Sequence, residues 1–262
     1  MKQKVALVLA SGGARGLAHI GAIEELESRG YEISSIAGTS IGALIAGVYA
    51  SGKLQEAKEW FLKLDRLKIF RLGDFALSKN YLVKGDRTVE AFKEIVPDCN
   101  IEDLPIPVTL VASDIIHNRE VVIESGSLFD AVRASVSIPM FFRPVEKDDM
   151  LLIDGGVLNA LPLNRVHRTE GDILAALNIS ARDNFETTAK ELNYAQLLNR
   201  MTDMMIQNNV VLMKRMVHCD ILAEMPMNQY PTLAFDKTAE IIELGRHLMR
   251  QAIDDYEIRQ CP

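Results

Sequence analysis

The chain of 262 residues has little cysteine, no long apolar run and a deficit of basic charge. Its three cysteines, Cys99, Cys219 and Cys261, are odd in number, far apart and without Cys-x-x-Cys spacing. That excludes a disulfide framework and points to reduced thiols. No stretch approaches the roughly 20 apolar residues that span a bilayer. Lys2 and Lys4 ahead of Val5 to Ala10 imitate the start of a signal peptide, but the apolar segment is too short and Arg15 follows at once, so none is expected. With 29 Lys and Arg against 36 Asp and Glu, the net charge of -7 argues against nucleic acid and against tight electrostatic docking on anionic lipid. Repeats and Pro/Gly-rich linkers are also missing. Residues 1–262, 48% hydrophobic, are therefore expected to form a single cytoplasmic α/β domain around one large core.

What is present is concentrated in three short motifs. Gly38-Thr39-Ser40-Ile41-Gly42 closes a short apolar segment, Ser35 to Ala37, and opens the helix-favouring run Ile41 to Ala50. A strand feeding a helix through a serine flanked by two glycines has the layout of a nucleophile elbow. In so tight a turn, a Cβ at Gly38 or Gly42 would collide with the neighbouring strand or helix. Near the N-terminus, the buried-strand pattern Val5 to Leu9 runs into Ser11-Gly12-Gly13-Ala14-Arg15-Gly16, followed by a helix with apolar residues at Leu17, Ile20, Ile23 and Leu26. Such a turn aims free backbone N–H groups and a helix dipole at one point, which suits an anion, either a ligand phosphate or the oxyanion of ester attack. The third motif, Leu151-Leu152-Ile153-Asp154-Gly155-Gly156, delivers a carboxylate at a strand end into a glycine pair. In an open parallel sheet, all three would lie at the carboxyl ends of strands, where ligands bind.

In this order the motifs resemble those of bacterial patatin-like phospholipases, a family of serine acyl hydrolases; Ala134-Ser135-Val136-Ser137-Ile138-Pro139 also resembles a segment those proteins carry shortly before the aspartate. The resemblance spans roughly the first two thirds of the chain. It implies a three-layer α/β/α fold with a largely parallel central sheet, core motifs within 5–180, and a mostly helical extension, 189–262, packed on the same domain. It further implies that Ser40 is the nucleophile, Asp154 its base, and the loop of Gly12, Gly13, Ala14, Arg15 and Gly16 the oxyanion hole, with Gly13 and Ala14 as central donors. Gly38 and Gly42 would shape the elbow, and Gly155 and Gly156 the acid loop. The reaction would be cleavage of a phospholipid or related acyl ester, with no cofactor or metal. Partners would be that substrate and, transiently, a membrane surface. One position departs from the family's Gly-x-Gly-x-x-Gly: Ser11 stands where its first glycine does, which is tolerable if φ there is negative.

Two other readings stay open. An α/β-hydrolase triad needs a histidine after the acid, and His167, His218 and His247 qualify by order. A nucleotide-binding module could use residues 11–16 as a phosphate loop, although the Gly-Lys-[Ser/Thr] of a P-loop is absent and the second strand ends in Gly38-Thr39-Ser40 instead of an acidic residue.

Further strands are expected at Val108 to Ser113, Val121 to Glu124, Ile173 to Ile179 and Ile221 to Ala223. Helices are expected at Leu54 to Leu64, Thr88 to Ile95 and Leu128 to Ala134, in a long segment after Ala189, and in a last one carrying Ile241, Gly245, Leu248 and Ala252. The stripe Leu198, Met201, Met205, Leu212, Met216 reads as core packing, with an acyl-chain pocket as the alternative. Ile69 to Phe75 reads as a surface turn or a lid, and Arg15 as a phosphate ligand or a salt-bridged arginine.

Overall fold

The computed structural model describes residues 2–64, 81–83, 93, 96–182 and 193–260. The segment 69–75 and, Lys93 aside, the helix expected over Thr88 to Ile95 lie outside these residues. The centre of the molecule is β1 (Lys4–Leu9), whose Val5 to Leu9 are fully buried. A strand apolar on both faces belongs inside a covered parallel sheet. β1 indeed pairs in parallel with β2 (Glu32–Thr39) on one side and β9 (Ile173–Ala181) on the other. The parallel sheet continues through β10 (Ile221–Pro226) beyond β9 and β4 (Val108–Asp114) beyond β2. A short parallel pair, β3 (Tyr81–Val83) with β6 (Met140–Phe142), stands apart.

Three more strands join by antiparallel pairing, and two of them run against the rest. β5 (Arg119–Ile123) covers one edge of β4 along its carboxyl half, from Leu110 to Asp114. The opposite edge is shared: β2 occupies it up to Thr39, opposite Val111, and β8 (Met150–Asp154) takes over, with Asp154 opposite Ala112. β7 (Val145–Lys147) closes the sheet beyond β8. The aspartate strand is thus antiparallel to β4 and does not share the direction expected for all three motifs. It descends along β4 until its end meets the rising end of β2. Adjacent residues of one template strand therefore bring Ser40 and Asp154 face to face.

The helices follow from strand order. β1–α1–β2 and β2–α2–β4 step in the same direction, so right-handed crossovers put α1 (Ala18–Ser28) and α2 (Ile41–Ala50) on one face. α3 (Leu54–Leu62) and α4 (Leu128–Ser135) adjoin α2 there. β9–β10 steps the other way, which puts the intervening α6 (Tyr194–Met216) on the opposite face, against the single turn α5 (Gly156–Asn159). The last helix, α7 (Thr238–Gln260), returns to pack along α1, burying Ile241, Ile242, Met249 and Ile253. The result is the three-layer α/β/α arrangement with a mostly parallel sheet. One expectation fails on α6. Met201, Met205, Leu212 and Met216 are 51–75% exposed and do not form core packing. Among its residues of described burial, Gln207 and Val210 are the buried ones.

Candidate active site

The site starts at the joint between β2 and α2. Ser40, the N-cap of α2, has φ 58° and ψ -124°, a left-handed conformation that an L-residue adopts only when its surroundings impose it. The imposing contacts are local. A Cβ on Gly38 would fall 2.3 Å from the Gly42 carbonyl oxygen, and one on Gly42 2.2 Å from that of Leu9. The chain can fold back this tightly only with glycine at both places. The Ser40 N–H donates to Ser135 Oγ at 2.8 Å, and Ser135 donates in turn to the Val111 carbonyl at 2.6 Å, so α4 and β4 brace the turn.

Ser40 Oγ donates to Asp154 Oδ2 at 2.5 Å, and the other carboxylate oxygen accepts the Gly156 N–H at 2.7 Å. The Asp154 N–H donates to the Ser137 carbonyl, tying β8 to the segment after α4. Both side chains are buried, Ser40 at 2% and Asp154 at 5% exposure. Desolvation pushes the Asp154 carboxyl up to about 6, against the opposing hydrogen bonds from Ser40 and Gly156. The direction is the one expected for an apolar strand end, and it places the proton affinity of this carboxylate near neutrality. A hydroxyl held by such a carboxylate can lose its proton to it as it attacks an electrophile.

The loop after β1 lies against the same elbow. Gly13 has φ +61°, and a Cβ there would strike Thr232 at 2.5 Å. The Ala14 N–H already donates to the Thr232 carbonyl at 2.8 Å, so this expected donor is occupied. Among the described residues the N–H groups of Gly12 and Gly13 have no partner. Arg15 is 4% exposed; its Nε donates to the Ile179 carbonyl at 3.1 Å and a terminal nitrogen to the Tyr230 carbonyl at 2.9 Å. These bonds fasten the loop to β9 and to the segment after β10. Ser11 is not among the residues with positive φ. Its N–H donates to the Ala160 carbonyl and its own carbonyl accepts the Ser180 hydroxyl.

No described histidine touches Ser40 or Asp154. His19, fully buried, donates through Nε2 to the Ala10 carbonyl, and burial holds its pKa down at about 4. His117 pairs with Asp114, His167 with Glu124, His218 is 89% exposed, and His247 faces outward on α7. Among the described residues no group of three or more His, Cys, Asp or Glu could hold a metal, and no helix is long and apolar enough to cross a membrane. The sequence singles out Ser135 and Ser137 without a role, and gives no sign of Thr232 and Tyr230. Both belong to a loop with no motif of its own.

A family model described as Patatin-like phospholipase matches residues 7–167. An uncharacterized NTE family protein of Mycobacterium tuberculosis is 41% identical over 199 residues, covering 76% of this chain and 55% of its own. Patatin-like phospholipase domain-containing protein 7 of Mus musculus is 29% identical over 279 residues, and neuropathy target esterase sws of Drosophila melanogaster 27% over 270, with 95% and 92% of this chain covered. The chain thus spans about half the length of the mycobacterial relative and only 20% and 19% of the animal ones. The solved structure of VipD from Legionella pneumophila shares the fold, with TM-score 0.54 at 13% identity over 97% of this chain and 67% of that one. Because the family model matches more than half of the residues, the chain belongs to the patatin-like phospholipase family.

Proposed function

We propose that the protein is a serine acyl hydrolase that cleaves carboxylic ester bonds of phospholipids or related acyl lipids. The observation that carries the reading is the contact of Ser40 Oγ with Asp154 Oδ2 on a strained, glycine-flanked turn. Ser40 Oγ attacks the acyl carbonyl carbon while its proton passes to Asp154. The oxyanion so formed is met by the N–H groups of Gly12 and Gly13, in a buried site where such dipoles act strongly. Collapse breaks the bond to the alcohol oxygen, which takes the proton from Asp154 and leaves. Water then attacks the acyl-enzyme, gives its proton to the same carboxylate, and releases the fatty acid as Ser40 recovers the proton. The animal relatives bear the names of a phospholipase-domain protein and an esterase, and the family is shared with this chain.

The test is a fluorophosphonate probe followed by peptide mapping. The wild type should gain one adduct, on the peptide holding Ser40, and release fatty acid from a panel of phospholipids and short-chain esters. Ser40→Ala should stay folded and do neither. Alanine at His167, His218 or His247 should leave kcat/KM within about tenfold of wild type. A folded histidine variant that loses several orders of magnitude would transfer the assignment to a triad.

A further inference from the structure

The exposed stripe on α6 is explained by where the helix stands. Gln207 Nε2 meets Met227 Sδ at 3.4 Å, one residue past the end of β10, and Asn209 Nδ2 donates to the Val157 carbonyl at 3.0 Å in the turn after Asp154. This turn of α6 is therefore level with the edge of the sheet that carries the dyad. α6 runs antiparallel to β9 and β10, so residues 194–206 continue past that edge by about 20 Å at 1.5 Å per residue. None of those with a described burial is buried. Tyr194, Leu197, Met201, Met204 and Met205 are 51–75% exposed, and their spacing puts them on one stripe.

The chemistry of this projection is specific. The exposed polar residues of its other faces, Gln196, Asn199 and Thr202, are uncharged, and its two charged side chains, the half-buried Arg200 and Asp203, are opposite in sign and leave it without net charge. Tyrosine suits the boundary between water and hydrocarbon, and unbranched methionines adapt to disordered acyl chains. A chain of net charge -7 is repelled by an anionic surface, so a neutral apolar prong complements one that is polar yet carries no net charge. Leu233, 53% exposed on the loop that holds Gly13 and Ala14, and Leu158, 37% exposed after Asp154, extend the apolar character to the rim of the site. We propose that residues 194–206 of α6 insert into the surface of a zwitterionic phospholipid aggregate and hold the Ser40–Asp154 pair against it. The inference rests on the acyl-lipid hydrolase reading for its purpose, and its test is independent of turnover.

The full chain carrying Ser40→Ala is mixed with phosphatidylcholine vesicles and sedimented, alone and with Met201→Glu and Met205→Glu added. We expect association by the parent, at least tenfold weaker association by the triple variant, little change between low and high salt, and no gain when phosphatidylglycerol is included. Leu197→Gln serves as a second probe of the stripe, with circular dichroism as the check of folding. A parent that ignores the vesicles, or binding that survives the glutamates, overturns the proposal. So does sedimentation velocity showing a parent dimer that the glutamates convert to monomer without altering vesicle binding, since a second copy would then be the occupant. If vesicle binding follows the stripe while the wild type hydrolyses no ester, the hydrolase reading falls and the surface stands.

Discussion

Asp154 carries two opposing demands on a single carboxyl. Its pKa of about 6, against an ordinary 3.8, means that the folded chain binds this proton more tightly than the unfolded chain does. The native state therefore meets no penalty below about pH 3.8, loses stability as pH rises through the window from 3.8 to 6, and bears the full cost above it. Asp154→Asn removes that cost. Urea unfolding at pH 8 should find the variant more stable by about 2–3 kcal/mol, two pKa units at 1.36 kcal/mol each, with the gain about halved at pH 5. The same substitution should lower kcat by about 10³-fold or more, because an amide takes no proton. In the wild type, kcat/KM should climb with pH up to about 6 and level off above. A profile flat from pH 5 to 8 would show that another group is the base.

The element that depends most on its neighbours is the loop between β1 and α1. Gly13 is held in a left-handed conformation with Thr232 pressed against it, and Ala14 and Arg15 are tied to Thr232, Ile179 and Tyr230. Gly13→Val combines an unfavourable φ with a collision at 2.5 Å, and should displace the Gly12 and Gly13 N–H groups together. The expected loss is at least about 10²-fold in kcat, the typical cost of one oxyanion donor, with KM for a short soluble ester changed far less. Ser11→Gly should be nearly neutral, since Ser11 has no positive φ to relieve. Near-normal kcat in a folded Gly13→Val protein would place the oxyanion donors elsewhere.

For the whole molecule, the family match ends before the central sheet is complete. Residues 7–167 stop short of β9, yet β9 pairs with β1 in the middle of the sheet, and α7 covers α1. A chain cut after residue 167 would expose the edge of β1, whose Val5, Leu7 and Leu9 are fully buried, and would leave Arg15 without its carbonyl partners Ile179 and Tyr230. An unpaired apolar edge of this kind recruits other chains. The truncated protein should aggregate or show no cooperative urea transition, whereas residues 1–262 should unfold in one. A soluble, cooperatively folding 1–167 fragment would show that the later strands and helices are accessory.

What the sequence determined by itself was whatever local chemistry forces. Glycines on both sides of Ser40 demand a close approach, the run Val5 to Leu9 demands burial on both faces, and Ile41 to Ala50 forms the helix it spells. The direction of β8 was not legible, because four apolar residues before an aspartate read the same parallel or antiparallel. Only pairing with β4 decided it, and with it the meeting of Ser40 and Asp154. The loop at Tyr230 to Thr232 holds the residues after Gly12 through backbone carbonyls, which no side-chain pattern encodes. The methionine stripe of α6 has the period of a buried face, and periodicity reports that a helix has two sides without reporting what covers either. Its place beyond the edge of the sheet was set by the contacts of Gln207 and Asn209 at the base of that projection, so exposure there is a property of the tertiary structure alone.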